Sequence, residues 1–173
     1  MRIVAGRWRG RQIAVPPGNA IRPTLDRVRE AWMSIVQMDL PGARVIDLFA
    51  GSGALGLEAV SRGAVSVDFV ENDRKSIAVL EGNIASLKAE EFARIHRRPA
   101  LAFVEEIRAL DYDVAFADPP YATGGAAGLA RRWLDVPFSR VLGIEHAATE
   151  KLPGARDTRR YGSSAITFYR TED

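Results

Sequence analysis

Apolar residues recur along the chain in two alternating rhythms. Leu25, Val28, Trp32 and Ile35 stand at i, i+3, i+7 and i+10, the spacing of one helix face, and Pro41-Gly42 stops that helix. Thr24, after Arg22-Pro23, is placed to cap its start. From Ala43 onward, short apolar runs that suit strands alternate with helical spacing. Val45-Ile46 leads into a glycine loop, Leu55 to Arg62 reads as a helix ended by Gly63, and Val65 to Val70 as a strand. Ile77, Leu80, Ile84 and Leu87 mark a helix that starts near Asn72 or Asp73. Arg94 to Arg98 reads as a strand, Leu101 to Leu110 as a helix, Val114 to Ala117 as a buried strand, Gly128 to Leu134 as a helix, and Val141 to Glu145 as a strand. Asp157 to Tyr161 and Ala165 to Tyr169 flank Gly162-Ser163-Ser164 as a closing hairpin. This alternation, with right-handed crossovers, predicts an α/β fold: a Rossmann-like, doubly wound, mainly parallel sheet with an antiparallel edge.

The first 21 residues stand apart. Arg7, Arg9 and Arg11 alternate with Trp8, Gly10 and Gln12 before Ile13-Ala14-Val15 and Pro16-Pro17-Gly18-Asn19, which predicts a short β-hairpin arm closed by the Pro/Gly turn, with arginines on one face. Residues 22–173 then form one compact domain. Charge sharpens the division. The net charge is only +2, yet residues 1–29 hold seven arginines against the single acid Asp26, while the remainder holds 17 basic and 21 acidic residues. A basic arm on a mildly acidic body is the footprint of phosphate-backbone binding, because each phosphate neutralised releases a counterion. Trp8 among these arginines either stacks on an unpaired base or pins the arm to the body.

Composition excludes several chemistries. With no cysteine, there is no disulfide, no thiolate metal site and no covalent attack by sulfur, the route commonly used for methylation at a pyrimidine carbon. Two histidines, His96 and His146, argue against a histidine-rich metal site, and no metal is expected. His146 reads as a strand-end polar residue and Trp133 as core. The chain has neither a run long enough to span a membrane nor a signal-like apolar start, which predicts a cytoplasmic protein.

Two motifs carry chemistry. Gly51-Ser52-Gly53-Ala54-Leu55-Gly56 fits G-x-G-x-x-G between a strand and a helix, where missing Cβ atoms let the backbone approach a ligand. Glu71, twenty positions after Gly51, is placed to accept hydrogen bonds from two ribose hydroxyls, which suits NAD and S-adenosylmethionine alike. Asp47 favours the second, since a carboxylate there would oppose a pyrophosphate and attract an ammonium and a sulfonium; ordering the loop is its alternative role. Downstream, Asp118-Pro119-Pro120-Tyr121 ends an apolar strand at the edge where such sheets bind ligands. The prolines restrict the turn, so the Asp118 carboxylate and Pro119 carbonyl are aimed together at an exocyclic amine, and Tyr121 would stack on the ring that bears it. One carboxylate can accept both N1–H and the 2-amino group of guanine, so Asp118 leans toward that base.

Arg2 to Gly10, Arg22-Pro23-Thr24 with Asp26 to Glu30, Asp47 to Glu58, and Asp118 to Tyr121 together resemble the RsmD-type family of bacterial 16S ribosomal RNA guanine-N2 methyltransferases, in the same order and spacing. The resemblance implies a class I S-adenosylmethionine-dependent methyltransferase fold with S-adenosyl-L-methionine as methyl donor. It also implies transfer to a guanine 2-amino group of 16S rRNA within an assembling 30S particle; a monomer is expected. On that reading Asp118, Pro119 and Tyr121 are catalytic, and Asp47, Phe49, Gly51, Gly53, Glu71 and Asn72 hold the cofactor. Arg7, Trp8, Arg9, Arg11, Arg22 and Arg27 contact RNA. Arg98-Pro99-Ala100 departs from the Gly-Asp or Asn-Ala step that relatives commonly carry, which leaves the adenine ring to backbone groups or neighbouring side chains. The competing expectations are the same chemistry on DNA adenine or a protein glutamine, a non-catalytic RNA-binding assembly factor with a cofactor pocket, and an NAD-dependent oxidoreductase.

Overall fold

A computed structural model describes residues 1–16 and 23–172, the side chains of 23–25 excepted. Arg22, the Pro17-Gly18-Asn19 turn and the boundary between arm and domain lie outside the described residues. Among the described residues five α-helices and seven strands follow one another in the predicted alternation: α1 Pro23–Val36, β1 Arg44–Leu48, α2 Ala54–Ser61, β2 Ser66–Val70, α3 Arg74–Ser86, β3 Ala93–His96, α4 Ala100–Val104, β4 Tyr112–Ala117, α5 Gly125–Asp135, β5 Ser139–Ala147, β6 Asp157–Tyr161 and β7 Ser164–Arg170. The strands form one sheet in the order β3-β2-β1-β4-β5-β7-β6. β1 to β5 run parallel, and β7 is antiparallel to both of its neighbours, as the closing hairpin predicts. Chain order reverses between β1 and β4, so the crevice at their carboxyl ends is the switch point where such sheets bind ligands.

Strand alternation divides the core between two faces. Val45, Val67, Phe69, Val114, Phe116, Val141 and Phe168 pack with α1, α2 and α3, while Ile46, Leu48, Val70, Ala115, Ala117, Leu142 and Ile144 pack with α4 and α5. Trp32 of α1 lies edge-on to Phe116, with ring centroids 5.6 Å apart. It fits because β5 offers Gly143, where a Cβ would come within 2.5 Å of the Trp32 Nε1. Gly143→Ala is therefore expected to destabilise the fold by about 1–3 kcal/mol, the usual cost of overpacking, as measured by urea unfolding.

Three local expectations are corrected. In the described part of the arm an antiparallel bridge joins Arg2 to Gln12 and the chain turns at residues 5–10, so Arg7 and Arg9 stand in a turn and not along a strand face. Gly6 and Gly10 adopt φ of +88° and +83°, which permits that tight turn and places Arg7 and Arg9 in it. α4 ends at Val104, well short of Leu110. Arg108 N–H donates to the Asp111 carboxylate and Leu110 takes φ +58°, so the chain bends into β4. α1 begins at Pro23, a position that suits proline because the first helical N–H has no partner within the helix. Among the described residues no helix is long and apolar enough to cross a membrane.

Candidate active site

The glycine loop is built by left-handed residues in close succession: Phe49 at φ +59°, Gly51 at +58° and Gly53 at +83°. Phe49 in this region is strained, as residues at ligand clamps often are. The loop must also lie close on β2, since a Cβ at Gly56 would stand 2.5 Å from Phe69 Cε1 and 2.7 Å from Val67 Cγ2. Two carboxylates fasten it. Asp47 accepts the Gly56 N–H at 3.0 Å, and Glu71 accepts the Gly51 N–H at 2.8 Å through one oxygen and the Asn72 and Asp73 N–H groups, each at 2.8 Å, through the other.

Asp47 is 2% exposed, and burial pushes its carboxyl well above the usual range; the Gly56 hydrogen bond opposes this, while Asp118 and Glu71 reinforce it. In the structure Asp47 thus serves the loop-ordering role that the sequence left open. Beside it, Phe49, Val70, Glu71, Asn72, Arg98, Pro99, Ala100 and Leu101 line a cavity of about 170 Å³. Arg98, the departure noted in the sequence, is turned toward α4: it pairs with Glu106 through two contacts of 2.6 and 2.7 Å and lies over the Phe103 ring.

Across the switch point, the Asp118 turn leaves β4. Pro119 is buried and fits against Gly125, where a Cβ would stand 3.2 Å away. Thr123 Oγ1 donates to the Pro120 carbonyl at 2.9 Å and steadies the turn. Tyr121 is 44% exposed, so its ring is available at the surface, while its hydroxyl shares a 2.6 Å hydrogen bond with Ser164 at the start of β7. Asp118 is exposed as a residue, yet desolvation is the main influence raising its carboxyl, and a hydrogen bond with Glu145 pulls the other way. The carboxyl thus lies among protein atoms while the residue as a whole still reaches water.

The residues expected to hold the cofactor and those expected to act on the target base therefore converge on one edge of the sheet, close enough for Asp118 to act on Asp47 electrostatically. The arm residues do not converge there as a group. Arg7, Arg9, Arg11 and, on α1, Arg27 are exposed. Trp8 is 8% exposed, its ring edge-on to Phe92 at 6.1 Å and its backbone N–H on Ser61 Oγ, so it pins the arm and is not open for base stacking. His146 is buried on the opposite face, hydrogen-bonded to Thr167, and Trp133 donates to the Ser139 carbonyl within the core. Sequence reasoning missed Glu145 and Ser164. Glu145 carried a signal, an acid at the end of an otherwise apolar strand.

A family profile described as conserved hypothetical protein 95 matches residues 1–170. The chain belongs to this family, the RsmD family. Among curated relatives of this RsmD-family chain, ribosomal RNA small subunit methyltransferase D of Escherichia coli K12 is 42% identical over 127 residues, 72% of this chain and 62% of the relative. The Haemophilus influenzae protein of the same name is 38% identical over 123 residues, 70% of this chain and 64% of the relative. The match thus spans less than two thirds of either relative's length. The solved structure of the Escherichia coli protein yhhF superposes with a TM-score of 0.85 at 32% identity, covering 99% of this chain and 98% of that one. The fold is that of class I S-adenosylmethionine-dependent methyltransferases. A Thermus thermophilus 16S rRNA N2 G1207 methyltransferase, solved with AdoMet and guanosine, shares that fold at TM-score 0.66 and 22% identity, over 90% of this chain and 45% of its own.

Proposed function

We propose that this protein transfers a methyl group from S-adenosylmethionine to the 2-amino group of a guanine in small-subunit ribosomal RNA, presented in an assembling 30S particle. The observation that carries this reading is the placement of the Asp118 turn at the carboxyl end of β4, across the switch point from the glycine loop. The names of the Escherichia coli and Haemophilus influenzae relatives support the RNA substrate.

The residues present fit the donor. Glu71 offers a carboxylate to ribose hydroxyls, at the cost of releasing the backbone N–H groups it now accepts. The cavity beside Phe49 and Pro99-Ala100-Leu101 offers largely apolar walls for a flat ring, with Asn72 near at hand. A cationic ligand beside Asp47 would offset the desolvation that raises this carboxyl. When bound, S-adenosylmethionine supplies a methyl group on a positively charged sulfur.

The protein's part is orientation. Asp118 and the Pro119 carbonyl accept the two N–H groups of the amine, which draws the nitrogen out of conjugation with its ring and turns its lone pair toward the methyl carbon. Tyr121 backs the ring. As the N–C bond forms and the C–S bond breaks, the nitrogen sheds one proton, and Asp118 is placed to receive it; desolvation makes this carboxylate a better acceptor than one in water. Positioning of this kind is worth up to about 7–11 kcal/mol against free encounter.

The test supplies methyl-labelled donor with small ribosomal subunits, assembly particles, free ribosomal RNA, DNA and protein, followed by digestion and identification of the labelled nucleoside. Label in N2-methylguanosine from small-subunit RNA is the expected result. Label in adenine, in protein, or in nothing overturns the reading.

A further inference from the structure

The register of β4 on β5 pairs Phe116 with Gly143 and Ala117 with Ile144. Side chains in directly opposed positions share a face, and the period along each strand is two. Asp118 and Glu145, two residues beyond Phe116 and Gly143, therefore emerge at one level on the face covered by α1. They meet there: the two carboxyls share a hydrogen bond. Glu145 is 8% exposed and stands opposite Ile166 of β7, whereas Asp118 is exposed.

Buried Asp47, on β1 in the row of Phe116, feels the Asp118 charge. Tyr121, on the turn, feels both carboxyls. Farther along the same row, Arg159 of β6 pairs with Asp157 and lies over Phe168. From α1, Trp32 sits over Gly143, and the buried Arg29 donates to the Arg2 carbonyl. His146 projects to the other face and bonds Thr167.

We propose that Glu145 is a positioning residue for methyl transfer, which fixes the Asp118 carboxylate toward the target amine through their shared hydrogen bond. This rests on the function proposed above. Two touching carboxyls in a desolvated setting hold one proton between them, because both cannot ionise at contact distance. That proton is assigned to Glu145, the residue with the smaller solvent exposure. Burial first, then the Asp118 charge and hydrogen bond, push Glu145 up to about 9. Glu145 is thus a donor at neutral pH. Its O–H takes one lone pair of Asp118 and sets the plane of that carboxylate, leaving the remaining lone pairs, and no donor, for the N–H groups of the base.

The sign of the pH effect follows. Below about 9 Glu145 stays neutral and holds Asp118; above it Glu145 ionises, its donor is lost and two negative charges face one another, so kcat of the unsubstituted protein declines there. Glu145→Ala is expected to lower kcat about tenfold to a hundredfold with KM for RNA unchanged, the scale of a misplaced reacting group. Glu145→Gln keeps an N–H donor that cannot ionise. It should recover most of what Glu145→Ala loses and should abolish the alkaline decline. An alkaline decline that persists in Glu145→Gln, or a loss as deep as that of Glu145→Ala, overturns the proposal.

A second readout needs neither donor nor RNA. Because buried Asp47 also holds its carboxyl high, the reading is a difference: the infrared carbonyl band of protonated carboxylic acid, followed by pH titration of the full chain, should contain a component that titrates near pH 9 in the unsubstituted protein and is missing from Glu145→Gln. If the unsubstituted protein and Glu145→Gln show the same carboxylic band above neutral pH, the proposal fails. Should Glu145→Ala not fold, Glu145→Gln and the band decide. Failure of the unsubstituted protein to methylate any substrate counts against the proposed function instead, since the band does not depend on transfer.

Discussion

Asp118→Ala is expected to lower kcat by about 10²–10³-fold, the scale seen when one preorganised polar contact to a reacting group is removed. RNA affinity and folding stability should be almost unchanged. The reason lies in how Asp118 is held: it is exposed, and its carboxyl is fixed by Glu145 and serves no backbone group. Single-turnover methyl transfer and filter binding, measured on the same preparations, separate the two effects. Transfer at an undiminished rate would remove Asp118 from the chemistry. Asp118→Asn adds a test of base identity. An amide places a donor where guanine also presents donors, N1–H and the 2-amino group, so the asparagine variant should fall nearly as far as the alanine variant on guanine.

The parts of this site that were legible in the sequence are those written in local patterns. Strand and helix alternation reports which face each residue takes, and it located β1, β2, β4, β5 and the closing hairpin to within a few residues. Asp73 sits where a helix start was expected, its carboxylate accepting the Ser76 N–H. The two motifs came to one sheet edge because chain order alone places a switch point between β1 and β4. What stayed hidden depends on partners distant in sequence. Trp8 stands among exposed arginines and reads equally well as a stacking ring, until Phe92 and Ser61 are found beneath it. Asp47 has its oxygen on the N–H of Gly56, nine positions along, which no periodicity encodes. Glu145 becomes a partner of Asp118 only once the β4–β5 register is known, because a shift of one residue would send it to the other face.

The arm offers the second large effect, because its docking is made largely by backbone groups and its charge by side chains, although Arg7 also lies over the Phe92 ring and Arg11 donates to the Ser86 carbonyl. Arg7→Ala, Arg9→Ala and Arg11→Ala together should weaken RNA binding about 10²-fold at 0.1 M salt and flatten the dependence of log affinity on log salt by about 2–3, one counterion set for each phosphate lost. The frame that carries these arginines is fixed on α2. Buried Glu58 accepts the Val4 and Ala5 N–H groups at 2.9 and 3.1 Å, Ser61 Oγ accepts the Trp8 N–H at 3.0 Å and donates to the Ala5 carbonyl at 2.6 Å, and the Ser61 carbonyl takes the Arg7 N–H at 2.9 Å. Gly6 lies at the closest point, where a Cβ would fall 1.8 Å from the Ser61 oxygen, and its φ of +88° disfavours any side chain. Gly6→Ala must therefore lift the arm from α2, while every arginine stays in the chain. Ordering a loosened arm on RNA costs about 0.5–1.5 kcal/mol for each long side chain immobilised, so affinity should fall about tenfold or more. The salt slope, however, should match that of the unsubstituted protein, since the same phosphates are neutralised. Binding isotherms across a salt series distinguish the two variants. A triple arginine variant with an unaltered slope would take RNA binding away from the arm, and Gly6→Ala with full affinity would show that docking on α2 does not prepare it.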